Sequence, residues 1–379
     1  MASFTAILNR RLISQLHEEL AVEQIVRIQT SHTALNSLAT EHKYEVRRTF
    51  ASSYSEAVAY CAVSAVLGLA VSLFVSRQRS HDLESKAREV ERLLFSSYKR
   101  KTTEVNLSTA QSRALDQASQ SDMARIFITG STDGIGLAAA KILSELGHRI
   151  TLHARNADRA SQAKKAVPKA EGVLIGDIST IAGAKDLAAK AKAAGPWDAV
   201  VHNAGLGPSN GSNMTSDGFQ STFAVNSLAP YILTSLMDKP KRLLYVTSVL
   251  HSGGDDSLDD ITWAKRNWSS LQAYSDSKLQ NVMLANAVAR AWPDVQSCAH
   301  DPGWVQTKLG GYGAPGTTSA PAKAIAAFAA GESDIVGNKS GVYFNPQGAG
   351  SPHRGATDTG KQDRFVGICE KLSGISLLR

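Results

Sequence analysis

Cysteine is scarce in this chain of 379 residues: Cys61, Cys298 and Cys369 are the whole set, and no two stand at CxxC spacing. An odd count without that spacing argues against a disulfide framework and a zinc site, and fits a reducing compartment. Dense Lys/Arg tracts with interleaved aromatics are also missing, although the net charge is +7. That balance suits a dinucleotide phosphate or an anionic membrane surface rather than a nucleic acid. No metal-ligand spacing appears, so no metal is expected, and His251, His300 and Cys298 read as structural residues. A secretory signal is lacking too, since the first strongly apolar run begins near Ala57, too late for one.

That run, Ala57–Val75, carries no charge. Its length approaches the roughly 20 residues that span a bilayer as a helix. Gly68, Ser64 and Ser72 are tolerated in such helices. Arg77, Arg79, Lys86, Arg88 and Arg92 follow it, against Lys43, Arg47 and Arg48 before it. This asymmetry predicts a single-pass membrane protein whose C-terminal part faces the cytosol. A buried core helix is the alternative. The expected organisation is a helical and polar segment over 1–55, the span over 56–76, an amphipathic helix and linker over 77–122, and one α/β domain over 123–379. The leading region resembles the last extracellular loop and final membrane segment of fungal major-facilitator drug transporters. The resemblance rests on Leu8-Asn9-Arg10-Arg11-Leu12, on Ala51-Ser52-Ser53-Tyr54-Ser55-Glu56-Ala57 and on the apolar run. One span builds no alternating-access pathway, so it implies no transport by this chain alone.

From Met123 short apolar runs alternate with helical patterns, the signature of a parallel sheet. Strands are predicted at 125–129, 149–153, 172–175, 199–202, 242–247, 296–299 and 341–344. Helices are predicted at 135–146, 157–166, 181–193, 219–237, 273–291 and 320–330. Seven strands with intervening helices make a doubly wound Rossmann domain.

The first strand runs into Gly130-Ser131-Thr132-Asp133-Gly134-Ile135-Gly136, and a helix opens there. A helix N-terminus offers free N–H groups and a positive dipole end to a pyrophosphate. Gly130, Ser131, Asp133, Gly134, Ile135 and Gly136 are therefore cofactor candidates. After the second strand the chain has Ala154 where an acid would bind the ribose 2′-hydroxyl of NAD, then Arg155. A guanidinium pairs with a 2′-phosphate, which favours NADP(H) over NAD. Asp177 is placed to accept from the adenine amino group, or merely to cap the next helix. Asn203, Ala204 and Gly205 end the fourth strand, where backbone can lie against the cofactor.

Tyr274 and Lys278 stand four apart on a predicted helix, hence on one face. An ammonium there is expected to lower the phenol pKa and equip it to exchange a proton with a carbonyl or alcohol. The TGxxxGIG turn, Asn203-Ala204-Gly205, Tyr274-x-x-x-Lys278 and Asp301-Pro302-Gly303-Trp304-Val305-x-Thr307 occur in that order. On these motifs the chain from Met123 to about Leu378 resembles the short-chain dehydrogenase/reductase family, and within it retinol-dehydrogenase-like and fungal NADP-linked members.

The resemblance implies an oxidoreductase with Tyr274 as general acid/base and Lys278 as ribose ligand. It implies Ser248 as the hydroxyl on the substrate oxygen, Asn226 as support for a relay water and Thr307 at the nicotinamide. Thr247, one residue before Ser248, should face the opposite side of its strand. The family's usual asparagine before Asn203 is His202 here, read as structural. Trp304 and Tyr312 are candidate substrate walls, with ordinary packing as the alternative. Family habit also implies a homodimer through the helices carrying Asn226 and Tyr274. The expected substrate is a small apolar carbonyl or alcohol. A catalytically silent dinucleotide-binding scaffold and a membrane-complex component are the alternatives.

Overall fold

The computed structural model describes residues 123–377. The apolar run at 57–75, its basic flanks and the transporter-like segment lie outside the described residues, as does Cys61. Among the described residues no helix is long and apolar enough to cross a membrane.

One sheet runs in the order β3-β2-β1-β4-β5-β6-β7-β8. Its strands are β1 Arg125–Ile128, β2 Arg149–Ala154, β3 Gly172–Ile175, β4 Ala199–His202, β5 Arg242–Val246, β6 Gln296–His300, β7 Tyr343–Asn345 and β8 Gly348–Gly350. All neighbours are parallel except β7 and β8, which form a hairpin. The sheet thus has eight strands, not the seven expected. The eighth reads Gly-Ala-Gly and offers no side-chain pattern to find it by.

The strands are apolar because both faces are covered. Ile126 and Ile128 of β1 join one core with Leu143 and Phe328, while Phe127 between them joins the other with Leu187 and Trp197. The helices are α1 Gly134–Glu145, α2 Ala157–Ala166, α3 Ile181–Ala194, α4 Ser221–Phe223, α5 Ala229–Leu236, α6 Ser270–Ala291, α7 Ser319–Ala330, α8 Arg354–Thr357 and α9 Thr359–Ser373.

Two departures from expectation bear on the site. The helix expected at 219–237 contains a wider π-type turn, Ala224–Leu228, between α4 and α5. Such turns gather at functional positions, and this one carries Asn226. Helix α6 starts three residues before the expected Ala273, because Ser269 caps it by accepting from the Gln272 amide. Helices α8 and α9 were not expected. Their signals were nevertheless in the chain: Asp358 accepts from the Lys361 amide, and Gly374 ends α9 in the left-handed region (φ 68°).

The strand order reverses direction between β1 and β4, which pair with each other. In an open α/β sheet a ligand crevice lies at the carboxyl ends of the strands at such a switch. Gly130, Asn203, Ser248 and Asp301 all follow strand ends at that edge.

Candidate active site

The glycine turn leaves β1 with Gly130 at φ 63° and re-enters helix at Gly134 with φ 57°. Glycine is required at both for conformation. It is also required for space: a Cβ on Gly130 would come 2.7 Å from Ala204 Cα, and one on Gly136 would come 2.3 Å from Asn203 Nδ2. Asn203 closes this contact by donating from Nδ2 to the carbonyls of Thr129 (2.9 Å) and Gly130 (3.0 Å). Its side chain therefore holds the two turns together and does not point out to a cofactor. Ser131 is likewise turned inward. Fully buried, it donates to the Ile128 carbonyl (2.9 Å) and accepts from the His153 amide (2.9 Å). Ile135 packs half-buried against the core beneath α1.

His153 carries no local sequence signal of its role. Its Nδ1 accepts from the Gly130 amide at 3.0 Å, and its Nε2 lies 2.9 Å from the Gly176 carbonyl. An amide only donates and a carbonyl only accepts, so Nε2 carries the proton. Burial lowers the ring pKa and agrees with a neutral ring. The Gly130 amide is thereby occupied, leaving the first turn of α1 as the source of free N–H groups.

Arg155 is exposed, and among the described residues nothing pairs with it. Asp133, two residues beyond Ser131, pairs with Arg159 on α2 and with Lys308 (3.2 Å) in the loop after β6. Burial raises the Asp133 pKa, but these two cations outweigh it and hold the carboxyl below the usual range. Asp177 is exposed and accepts from the Ser179 amide (3.0 Å). The cap of α3 is Thr180, so Asp177 does not cap that helix.

Deeper in the crevice, Asn226 accepts from the Leu206 amide (2.7 Å) and donates to the Leu206 carbonyl (2.9 Å) and to Ser277 Oγ (3.0 Å). It staples the turn after β4 to α6. Lys278 is 3% exposed and donates from Nζ to the Val246 carbonyl at 3.0 Å. A Cβ on Gly205 would lie 3.4 Å from both Asn226 Oδ1 and Lys278 Nζ, so these two groups converge over that glycine. Thr247 turns away as expected and donates to the Lys278 carbonyl (2.7 Å). Ser248 faces the crevice, with its hydroxyl hydrogen-bonded to the Tyr274 phenol.

One expectation is overturned. The Tyr274 phenol is not lowered by its neighbour. Burial pushes it up to about 12, and the Ser248 hydrogen bond only partly opposes this. The Lys278 ammonium, 5.5 Å from the ring centroid, is itself pushed down by burial to about 8. Two charged forms in one dry site each pay for desolvation. Asp301, also buried, adds to the rise at Tyr274 and works against the fall at Lys278.

The loop after β6 reaches across both turns. Thr307 Cγ2 lies 3.3 Å from where a Gly134 Cβ would be, and Leu309 packs on Gly207. In the same loop Trp304 is 63% exposed and Tyr312 95% exposed, so ordinary packing does not account for either. Met214, Val249, Leu250, Leu271 and Leu309 are exposed as well. These apolar side chains stand on the segments that border Ser248, Tyr274 and the Asn-Ala-Gly turn.

The arrangement fits a dinucleotide. The backbone cradle has no room for side chains at Gly130 and Gly136, a helix N-terminus faces it, and a buried lysine sits at its inner end. Comparison with known proteins agrees. The family model "short chain dehydrogenase" matches residues 124–241. An oxidoreductase of Emericella nidulans is 50% identical over 259 residues, which is 67% of this chain and 99% of that protein. The short-chain dehydrogenase chry4 of Gibberella zeae is 44% identical over 261 residues, again 67% of this chain and 99% of that protein. Among solved structures, a protein from Mycobacterium paratuberculosis shares the fold with a TM-score of 0.57 at 23% identity, over 68% of this chain and 95% of that one.

Proposed function

This chain belongs to the short-chain dehydrogenase family, and we propose that it is an NADP(H)-dependent oxidoreductase interconverting a carbonyl and an alcohol on a small apolar molecule. The observation that carries this reading is the convergence of the Ser248 hydroxyl, the Tyr274 phenol and the Lys278 ammonium at the inner end of the glycine cradle.

Bound in that cradle, a nicotinamide dinucleotide supplies the hydride chemistry. The first turn of α1 holds its pyrophosphate, and Arg155 its 2′-phosphate. Thr307 covers the nicotinamide end, Lys278 holds the inner ribose, and Asn226 fixes the turn after β4 beside the lysine as support for a relay water. Ser248 donates to the substrate oxygen and Tyr274 delivers the proton to it. Charge developing on that oxygen is stabilised by both donors. A phenol with a raised pKa is protonated at neutral pH, which suits it to donate in the direction of carbonyl reduction.

Selection of NADP(H) rests on Ala154 in place of an acid and on Arg155, which has no partner among the described residues. The Asp133 carboxylate nearby is offset by Arg159 and Lys308. The apolar rim of Trp304, Tyr312, Leu309, Val249, Leu250 and Leu271 supports an apolar substrate. A tether through the run 57–75 would concentrate the enzyme where such substrates partition. Deleting 57–75 is then expected to move the protein from the membrane fraction to the supernatant.

The deciding experiment is fluorescence titration of the full chain with NADPH and NADH, followed by a carbonyl screen. Tight NADPH binding with turnover that Tyr274→Phe abolishes supports the reading. Failure to bind either dinucleotide overturns it.

A further inference from the structure

His251 lies three residues beyond Ser248, in the 3₁₀ turn Val249–Gly253, and is 3% exposed. Its Nδ1 lies 2.8 Å from the Ser248 carbonyl oxygen. Its Nε2 accepts from the backbone amide of His353 at 3.0 Å, more than 100 residues along the chain. An amide can only donate, so Nε2 is the bare nitrogen and Nδ1–H donates to Ser248. Both ring nitrogens are thus committed, each to a different segment.

The ring is also held from the side. It packs against the Tyr343 ring with centroids 4.8 Å apart. Tyr343 donates its hydroxyl to Asp301 Oδ2 (3.0 Å), and Asp301 Oδ1 accepts from the Gly303 amide (2.9 Å) at the start of the loop bearing Trp304. Beyond His353, the segment is fixed in turn. His353 Nδ1 accepts from the Gly355 amide (3.0 Å), while Lys361 and Arg364 of α9 pair with Asp256 and Asp259. The imidazole therefore joins the serine turn, strand β7 and the C-terminal segment.

We propose that His251 is a positioning residue: it fixes the backbone of Ser248, and with it the serine hydroxyl beside Tyr274, from an anchor supplied by the C-terminal segment at His353. The proposal rests on the catalytic reading of Ser248 given above. It makes residues 343–377 part of the machinery that orients the site, although they lie far from Tyr274 in sequence. A hydroxyl held in place before the substrate arrives needs no reorganisation during the reaction.

The two hydrogen bonds are separable by substitution. In His251→Asn the amide group falls near the Nδ1 position and can donate to Ser248, but it does not reach His353. In His251→Gln the longer side chain can accept from His353 but loses the bond to Ser248. His251→Ala loses both. With full-length protein, hydrogen exchange is read at the Leu250 and His251 amides, which donate to Ser248 Oγ and Ser248 O, and at the His353 amide. Turnover is read with NADPH and a carbonyl substrate. The Ala variant is expected to exchange faster at both places and to lose about tenfold in kcat, with NADPH affinity unchanged. The Asn variant is expected to recover the serine-turn protection and most of kcat. The Gln variant is expected to recover only the His353 protection. Unchanged exchange and kcat in the Ala variant overturn the proposal, as does failure of Asn to restore the serine turn. Should the wild type bind no dinucleotide and turn over no carbonyl, the catalytic reading fails, and the exchange pattern alone still decides whether His251 anchors Ser248.

Discussion

Lys278 Nζ donates to the carbonyl oxygen of Val246, the last residue of β5, across 3.0 Å. The bond fixes the ammonium at the strand end, beside Gly205 and Asn226, and out of water. It does not remove the cost of burying a cation, and burial pushes the lysine down to about 8. Asn281 also donates to the Val246 carbonyl (3.3 Å), so that acceptor keeps a partner without the lysine.

Lys278→Met should therefore stabilise the protein at pH 7 while destroying its turnover. The wild-type lysine is charged in both folded and unfolded states below pH 8, where the full burial cost applies. Above pH 8 the folded protein sheds the proton first, and the cost fades as pH rises toward the unfolded value near 10.5. A gain of about 1–2 kcal/mol at pH 7 is expected, shrinking toward pH 10. Thermal unfolding across that range checks it. A less stable methionine variant at pH 7 would mean that the ammonium stabilises the fold through contacts beyond Val246.

Tyr274→Phe should lower kcat by at least about a hundredfold and leave NADPH affinity within about threefold. The ionisation of the phenol is testable separately. Ultraviolet difference titration of wild type against Tyr274→Phe, without dinucleotide, should show no phenolate from Tyr274 below about pH 11, since burial has raised it to about 12. A difference signal near pH 9 would instead restore the expectation drawn from the four-residue spacing, that Lys278 outweighs burial.

Arg155→Ala should weaken NADPH binding by about tenfold or more and leave NADH binding unchanged, because only the 2′-phosphate meets the guanidinium. Arg159→Ala tests the compensation at Asp133. Without that pair the carboxylate keeps only Lys308, which is 73% exposed in its side chain. A smaller loss of NADPH affinity, about threefold, is expected from the less balanced charge. Equal losses for both dinucleotides in Arg155→Ala would remove this residue from phosphate recognition.

The chemical residues were legible because their signals are local. Tyr274 and Lys278 declare themselves by helical spacing and the glycine turn by its strand and helix flanks, whereas Ser248 came from the family resemblance. Asn226 was legible through its motif alone, since nothing in the sequence signals the π-type turn around it. His153 and His251 were hidden for another reason. Each works through a backbone amide from a distant segment, Gly130 or His353, and no periodicity encodes that partner. The inward turn of Ser131 and Asn203 was hidden in the same way, as both bond to backbone carbonyls that only the folded turn presents. The direction of the Tyr274 shift also depended on tertiary structure, because spacing reveals a neighbouring charge but not the depth of burial.

His202 and His300 supply the last prediction. Both are buried and pushed down to about 3; among the described residues His202 Nδ1 has no partner, and at His300 the Phe344 backbone only partly opposes the effect of burial. A folded pKa below the unfolded value of 6.5 means that the unfolded chain binds protons first as pH falls. The stability these neutral rings permit is complete above pH 6.5 and is lost progressively on acidification toward pH 3. Each should cost about 2 kcal/mol at pH 5 relative to pH 7.5. His300 sits in an apolar setting against Phe344, with ring centroids 4.7 Å apart, so leucine is a tolerable replacement. Thermal unfolding of His300→Leu at pH 7.5 and pH 5 should show about 2 kcal/mol less acid sensitivity than the wild type. An unchanged difference between the two pH values would mean that His300 is protonated within the folded protein, and that a water or neighbouring group satisfies its ring.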